Sequence, residues 1–241
     1  MKKACNILGV IPARGGSKGL NKKNIKPLMG IPMINYTIQA SLDSKLMEDC
    51  FVTTDSEEIA SIAKRAGAWV PFLRPADLSG DHAPTHPAIQ HAIDFYESSK
   101  KIRVDHVIVL QPIAPLRTAD DIDGAIKKYS RHQPEGDSLI SVCRADDFHP
   151  QTLYKKAEPF LEAWEERTVY TKRRQELKTV FWRNGAIYIS SRDLVMDQGR
   201  IIGDHLLYYE MPWSRSVNID GLWDFKVAEL FLKNKAFMKD V

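Results

Sequence analysis

Five cations and three glycines crowd into one short stretch. Arg14, Lys18, Lys22, Lys23 and Lys26 surround Gly15, Gly16 and Gly19 in IPARGGSKGLNKKNIK. Glycines let backbone amides approach an anion closely, and the cations could neutralise several phosphate oxygens. A solvated turn bearing surface lysines is the competing reading of the same composition. Two familiar phosphate loops are excluded. A Walker A loop needs Gly-Lys before Ser or Thr, whereas the order here is Ser17-Lys18-Gly19. A dinucleotide fingerprint runs directly into a helix, whereas Gly19 is followed by further loop residues up to Pro32.

Other reactive side chains form no recognisable constellation. His82, His86 and His91 are interrupted by Pro84 and Pro87, which break the continuous helix that would align them, and no HExxH or GxSxG occurs. Asp55 and Glu58 in DSEE stand at capping-box spacing, so Asp55 is expected to cap a helix.

The elements that must position the opening loop alternate between two periods. NILGVIP (6–12), DCFVTTD (49–55) and DHVIVLQP (105–112) are short apolar runs of the kind buried on both faces of a sheet. Between them lie helical stripes: Ile59, Ile62, Ala63 and Ala66; Ile89, Ala92, Ile93 and Tyr96; Ile122, Ala125, Ile126 and Tyr129. Pro32 suits a first helical position before MINYTIQASL. This order predicts an α/β fold, a three-layer arrangement in which a mostly parallel twisted sheet carries helices on both faces. SLISVCR (138–144), GAIYIS (185–190) and LLYYE (206–210) read as further strands. Trp223, Val227, Leu230 and Phe231 read as the stripe of a closing helix, while 145–181 sustains no period and is expected to leave the sheet as an arm or flap. In such sheets ligands bind beyond the carboxyl ends of the strands, which is where the opening loop falls.

The chain has 241 residues, 44% of them hydrophobic, enough for one α/β domain spanning 1–241. A net charge of +3 does not call for a nucleic-acid partner. Cys5, Cys50 and Cys143 are odd in number and widely spaced, as expected for thiols in a reducing cytosol, and no apolar run approaches a membrane span. A cytoplasmic protein without membrane association is expected.

With the opening loop, the segments VTTDSEEIA (52–60), LRPADLSGD (73–81), LQPIAPLRT (110–118), RNGAIYI (183–189) and SVNIDGLWDF (216–225) resemble, in order and over nearly the whole chain, the acylneuraminate cytidylyltransferases. The resemblance implies a Rossmann-like nucleotidyltransferase fold. It also implies a reaction in which the anomeric hydroxyl of a nonulosonic acid attacks the α-phosphate of CTP and releases pyrophosphate. Arg14, Ser17, Lys23 and Asn24 then match the CTP-phosphate group, with Arg14, Lys23 and Asp220 as the catalytic residues. Arg74 matches the arginine that reads the base, and Thr85 a hydroxyl residue near the nucleotide. Gln111, Arg174 and Asn184 match acceptor-binding positions, with Arg174 the expected partner of the sugar carboxylate. Residues 145–181 match an arm that joins two subunits, implying a homodimer. Mg²⁺ is the implied cofactor, held by Asp220 and by Asn218.

The chain also departs from that pattern. The family commonly has Asp-Ile-Asp where this sequence has Asn218-Ile219-Asp220, so one negative charge is lost from the metal site. Trp182, Arg183 and Trp213 occupy positions where the family often has other residues, which bears on the acceptor pocket. Three alternatives therefore stand: a nonulosonic acid acceptor, another keto-sugar acid such as Kdo or a di-amino nonulosonate, or a nucleotide-binding homologue with weakened turnover.

Overall fold

The computed structural model describes residues 6–16, 19–47, 49–80, 83–145, 148–164 and 177–234. In chain order, β1 (Ile7–Pro12) leads through the glycine-rich loop and a short hairpin, β2 (Pro27–Leu28) and β3 (Ile31–Pro32), into α1 (Met33–Leu42). Then follow β4 (Asp49–Thr53), α2 (Glu57–Arg65), α3 (Thr85–Lys100), β5 (His106–Val109), α4 (Ala119–Arg131) and β6 (Ser138–Arg144). A second hairpin, β7 (Tyr154–Ala157) and β8 (Phe160–Ala163), precedes β9 (Phe181–Ser191), α5 (Arg192–Met196), β10 (Leu206–Glu210) and α6 (Leu222–Lys233).

Six strands form one sheet in the order β10-β6-β9-β5-β1-β4. β1 runs parallel to β4 and β5, and β6 parallel to β10, while β9 is antiparallel to both its neighbours. The expected mostly parallel sheet is therefore present, with one reversed strand in its middle. Alternation along each strand feeds two cores. Ile7, Ile11 and Ile108 pack with Ile34, Ile38, Ile59, Ala63, Ile122 and Tyr129 of α1, α2 and α4. Leu8, Val10, Val107 and Val109 pack on the other face with Ile89, Ala92, Ile93 and Val195 of α3 and α5.

Local chemistry sets where the helices begin. Ser56, not Asp55, caps α2, its hydroxyl accepting from the Ile59 amide at 3.3 Å, so the expected Asp55 cap is corrected by one residue. Thr118 and Asp121 close a reciprocal capping box on α4. Pro32 is the N-cap of α1 rather than its first helical residue. Pro87 sits within the first turn of α3, where its missing amide donor costs nothing. α6 buries Phe225 and Ala228, whereas Trp223 and Leu230 of the expected stripe are exposed. Both sets have helical spacing, and the one facing Leu28, Met33 and Leu116 is buried.

Within 145–181, residues 148–164 leave the main sheet as expected, forming a turn at Pro150–Thr152 and the β7–β8 hairpin, which pairs only with itself, whereas Phe181 already belongs to β9 and the Ala145 amide donates to the Val180 carbonyl beside it.

Candidate active site

β4 and β5, the successive parallel strands, lie on opposite sides of β1. That reversal creates a crevice beyond the strands' carboxyl ends. A cavity of about 560 Å³ opens there, its lining including Arg14, Gly19, Lys23, Asn24, Arg74, Thr85, Gln111 and Asp220. Seven of the residues singled out as CTP, acceptor or metal ligands, Asn24 among them, thus converge from separate parts of the chain.

The glycine-rich loop is held by neighbours that leave its cations pointing inward. The Gly15 amide donates to Asp55 Oδ1 at 2.8 Å, and Asn24 Nδ2 donates to the Arg14 carbonyl at 3.0 Å. Arg14 Nη1 donates to the Gly80 carbonyl at 3.3 Å, tying the loop to the opposite wall. Lys23 begins a short turn at Lys23–Ile25, and its ammonium donates to the Ile219 carbonyl at 2.9 Å and to Asp220 Oδ1 at 3.1 Å. Gly19 is required for that approach, because a Cβ there would lie 2.5 Å from the Asp220 carbonyl oxygen. Lys22 and Lys26 turn elsewhere. Lys22 pairs with Glu58 at 2.6 Å, and Lys26 lies over the Phe225 ring.

Arg74 reaches the cavity because residues before it run beside the outer edge of β4, with bridges Phe51–Trp69 and Thr54–Leu73. Its amide donates to the Thr54 carbonyl at 2.7 Å. The buried guanidinium donates from Nε to Ser79 Oγ at 3.0 Å and lies 3.8 Å from Asp55. Burial lowers its pKa, which the Asp55 carboxylate partly opposes. A guanidinium fixed in this way presents an oriented fork to a ligand edge. Thr85 opens the 16-residue helix α3, whose N-terminal amides and dipole favour an anion.

Asp55 was missed as a site residue, since its capping-box spacing pointed to a different task. One carboxylate organises both the glycine-rich loop and the buried Arg74 guanidinium.

One acceptor expectation changes. Asn184 is completely buried and does not line the cavity. Its Oδ1 accepts from Ser141 Oγ at 2.6 Å and its Nδ2 donates to Ser216 Oγ at 2.9 Å, so its polar atoms are used inside the sheet. Direct contact with a sugar is replaced by a supporting role. Ser17 and Arg174 lie outside the described residues.

The metal expectation divides similarly. Asp220 lines the cavity with its carboxylate three-quarters exposed. Asn218 does not line the cavity; it packs against Gly185, and its side-chain oxygen is buried without a hydrogen-bond partner, so the expected second ligand lies behind the cavity wall. One carboxylate and one unpaired neutral oxygen suit a hard cation that takes its other ligands from phosphates and water. Among the described residues, no group of three or more His, Cys, Asp or Glu side chains could hold a metal by itself.

Strand-end crevice, cationic glycine loop, buried arginine and helix N-terminus together define an α/β protein of the nucleotidyltransferase kind. The family model described as Cytidylyltransferase matches residues 8–218, and the chain belongs to that family. It is 33% identical to the post-translational flagellin modification protein B of Campylobacter coli, covering 95% of this chain and 96% of that one. It is 30% identical to a pseudaminic acid cytidylyltransferase of Campylobacter jejuni, covering 97% of each chain. It is also 32% identical to an N-acylneuraminate cytidylyltransferase of Escherichia coli, over 92% of this chain but 51% of that longer relative. Among solved structures, CMP:2-keto-3-deoxy-manno-octonic acid synthetase complexed with CTP shares the fold at a TM-score of 0.70 and 16% identity. That match covers 95% of this chain and 99% of the other.

Proposed function

We propose that this protein transfers CMP from CTP to the anomeric hydroxyl of a nonulosonic acid, giving a CMP-sugar and pyrophosphate. The observation that carries the reading is one cavity lined by Arg14, Lys23, Gln111 and Asp220, in a chain that matches a pseudaminic acid cytidylyltransferase over 97% of that relative's length. The relatives at 30% identity or above support a nine-carbon acid of the pseudaminate or neuraminate type. Likeness to the Kdo enzyme supports the fold alone.

Nucleotidyl transfer asks little covalent chemistry of a protein, so catalysis rests on positioning and charge compensation. Arg14 and Lys23 hold the triphosphate and compensate the charge that accumulates on departing pyrophosphate. Arg74 reads the cytosine edge, donating to acceptors that uracil presents in another pattern. Gln111 orients the acceptor within the cavity. Asp220 would hold Mg²⁺ jointly with the phosphates, with the Asn218 oxygen as a neutral donor, and the bound cation would supply further charge compensation at the phosphates.

A homodimer through the β7–β8 region is part of the same reading. Phe148, Phe160, Leu161 and Trp164 are all more than half exposed there, large apolar side chains that a partner subunit would cover. A reducing compartment supplied with CTP, the cytoplasm, suits the free Cys50 and Cys143. Among the described residues no helix is long and apolar enough to cross a membrane.

The test is pyrophosphate release from CTP and Mg²⁺ with pseudaminate, N-acetylneuraminate, deaminoneuraminate and Kdo in parallel, with UTP and ATP as controls. CTP-dependent release with a nine-carbon acid is expected, and Asp220→Ala should abolish it. Release with Kdo alone, or none with any acid while CTP still binds, would refute the reading.

A further inference from the structure

β9 does not pair evenly with β6. Ile140 faces Tyr188 and Val142 faces Arg183, so residues 184–187 of β9 bulge out against the single residue Ser141. Bulges of this kind re-aim backbone beside sites, and this one is built from the inside. Ser141 Oγ accepts from the Ile187 amide at 2.8 Å while donating to Asn184 Oδ1, which also accepts from the Ala186 amide at 3.2 Å. Gly185, at φ +71°, is brought close to Asn218 and Gln111. A Cβ on it would stand 2.8 Å from Asn218 Nδ2 and 3.4 Å from Gln111 Oε1.

Arg117 links this bulge to the residue that meets the acceptor. Its Nη1 donates to the Ala186 carbonyl at 2.6 Å and to the Gln111 carbonyl at 3.3 Å. The side chain is 3% exposed, and its Nε and Nη2 have no hydrogen-bond partner. Burying a cation with two unmet donors is costly, so an apolar residue would serve folding better at this position. Burial pulls its pKa down to about 10, opposed by Asp121 and Cys50, which still leaves the donor protonated at neutral pH. What the guanidinium provides is geometry: one nitrogen fixes the spacing between two carbonyls on neighbouring segments.

We propose that Arg117 is a positioning residue for the acceptor, setting the separation of Gln111 from the Gly185 bulge and thereby the shape of acid that is accepted. The inference rests on the functional reading above, in which Gln111 contacts the acid. Arg117 does not line the cavity, so it acts through Gln111 and Gly185 rather than on substrate.

The experiment compares wild type, Arg117→Gln and Arg117→Lys, using the acid that wild type turns over. KM for the acid and kcat come from pyrophosphate release, and the CTP dissociation constant from calorimetry. Arg117→Gln should raise acceptor KM about tenfold or more while CTP affinity stays within about twofold of wild type. Arg117→Lys, whose ammonium can still reach the Ala186 carbonyl, should recover part of the loss. Unchanged acceptor KM in Arg117→Gln, or acceptor KM and CTP affinity worsening together, overturns the proposal. Should Arg117→Gln fail to bind CTP, Arg117→Lys decides by the same criteria, and loss of CTP binding in both assigns Arg117 to folding alone. A wild-type protein inactive with every acid overturns the functional reading, and this inference falls with it.

Discussion

Lys23 and Asp220, 197 positions apart, meet at 3.1 Å across the floor of the cavity, and the same ammonium holds the carbonyl of Ile219. The glycine-rich loop and the segment that supplies the carboxylate are thus joined by one side chain. Lys23 is mostly buried and Asp220 mostly exposed. A pair so placed adds at most about 1 kcal/mol to stability. Lys23→Met should therefore leave the melting temperature nearly unchanged while lowering kcat by about 10²- to 10³-fold, the usual loss for one preorganised charge donor. Near-normal pyrophosphate release from this variant would remove Lys23 from the catalytic group.

Gly19→Ala tests the same junction by sterics. The added methyl meets a backbone oxygen, which cannot rotate away, so the loop must shift relative to Asp220. Turnover should fall by about 10²-fold, as for displacements near 1 Å in other sites, with CTP still binding detectably. A variant with wild-type kcat would show that the two segments need not touch.

Arg74→Gln removes the fork at the cavity wall and leaves Asp55 without its guanidinium neighbour. CTP KM should rise at least about tenfold, the scale of a lost charge-assisted hydrogen bond, and discrimination against UTP should narrow. Steady-state kinetics with both nucleotides read this out. Unaltered CTP-to-UTP selectivity would place base recognition elsewhere.

The paired substitution Phe160→Glu with Leu161→Glu puts two charges on the apolar hairpin. Sedimentation velocity should shift from dimer to monomer at micromolar concentration without loss of secondary structure. An unchanged sedimentation coefficient would move the subunit contact off this hairpin.

Acid stability has a definable contributor. Arg192 donates to both oxygens of Glu97, at 2.8 and 2.9 Å, and holds its carboxyl below the usual range, with the Val104 amide assisting. Because the folded value lies below the unfolded one, this contribution is complete above about pH 4.5 and disappears as pH falls through the folded value. Arg192→Met should cost about 2 kcal/mol near neutrality, and its deficit in melting temperature should shrink as pH falls below about 4.5. A deficit independent of pH would assign the loss to packing.

The apolar runs at 6–12, 49–55 and 105–112 and the stripes between them were enough to read the three layers, because burial on both faces leaves nearly continuous hydrophobic strands. Arg14, Lys23, Arg74 and Gln111 were legible because they follow directly from strand ends and recognisable segments. What stayed hidden was tertiary. Asp55 looked like a cap because local spacing says nothing about a glycine amide forty residues away. Asn184 looked like a ligand because a motif does not reveal that a bulge turns its amide inward. Trp223 and Phe225 have equal claim to a helical stripe, and only the position of Leu28 and Met33 decides between them.

The reversed strand has a consequence for how the chain is made. β5 and β6 are joined in the sheet only through β9, which arrives after both. While the ribosome has not yet released residues up to 191, one three-stranded and one single-stranded fragment coexist, each with an open edge of unpaired amides and carbonyls. Such edges recruit strands from other chains. The nascent protein is therefore most vulnerable to aggregation in a window that opens when β5 emerges and closes when β9 inserts. A chain terminated before 181 would carry the whole nucleotide loop and still have no way to close its sheet.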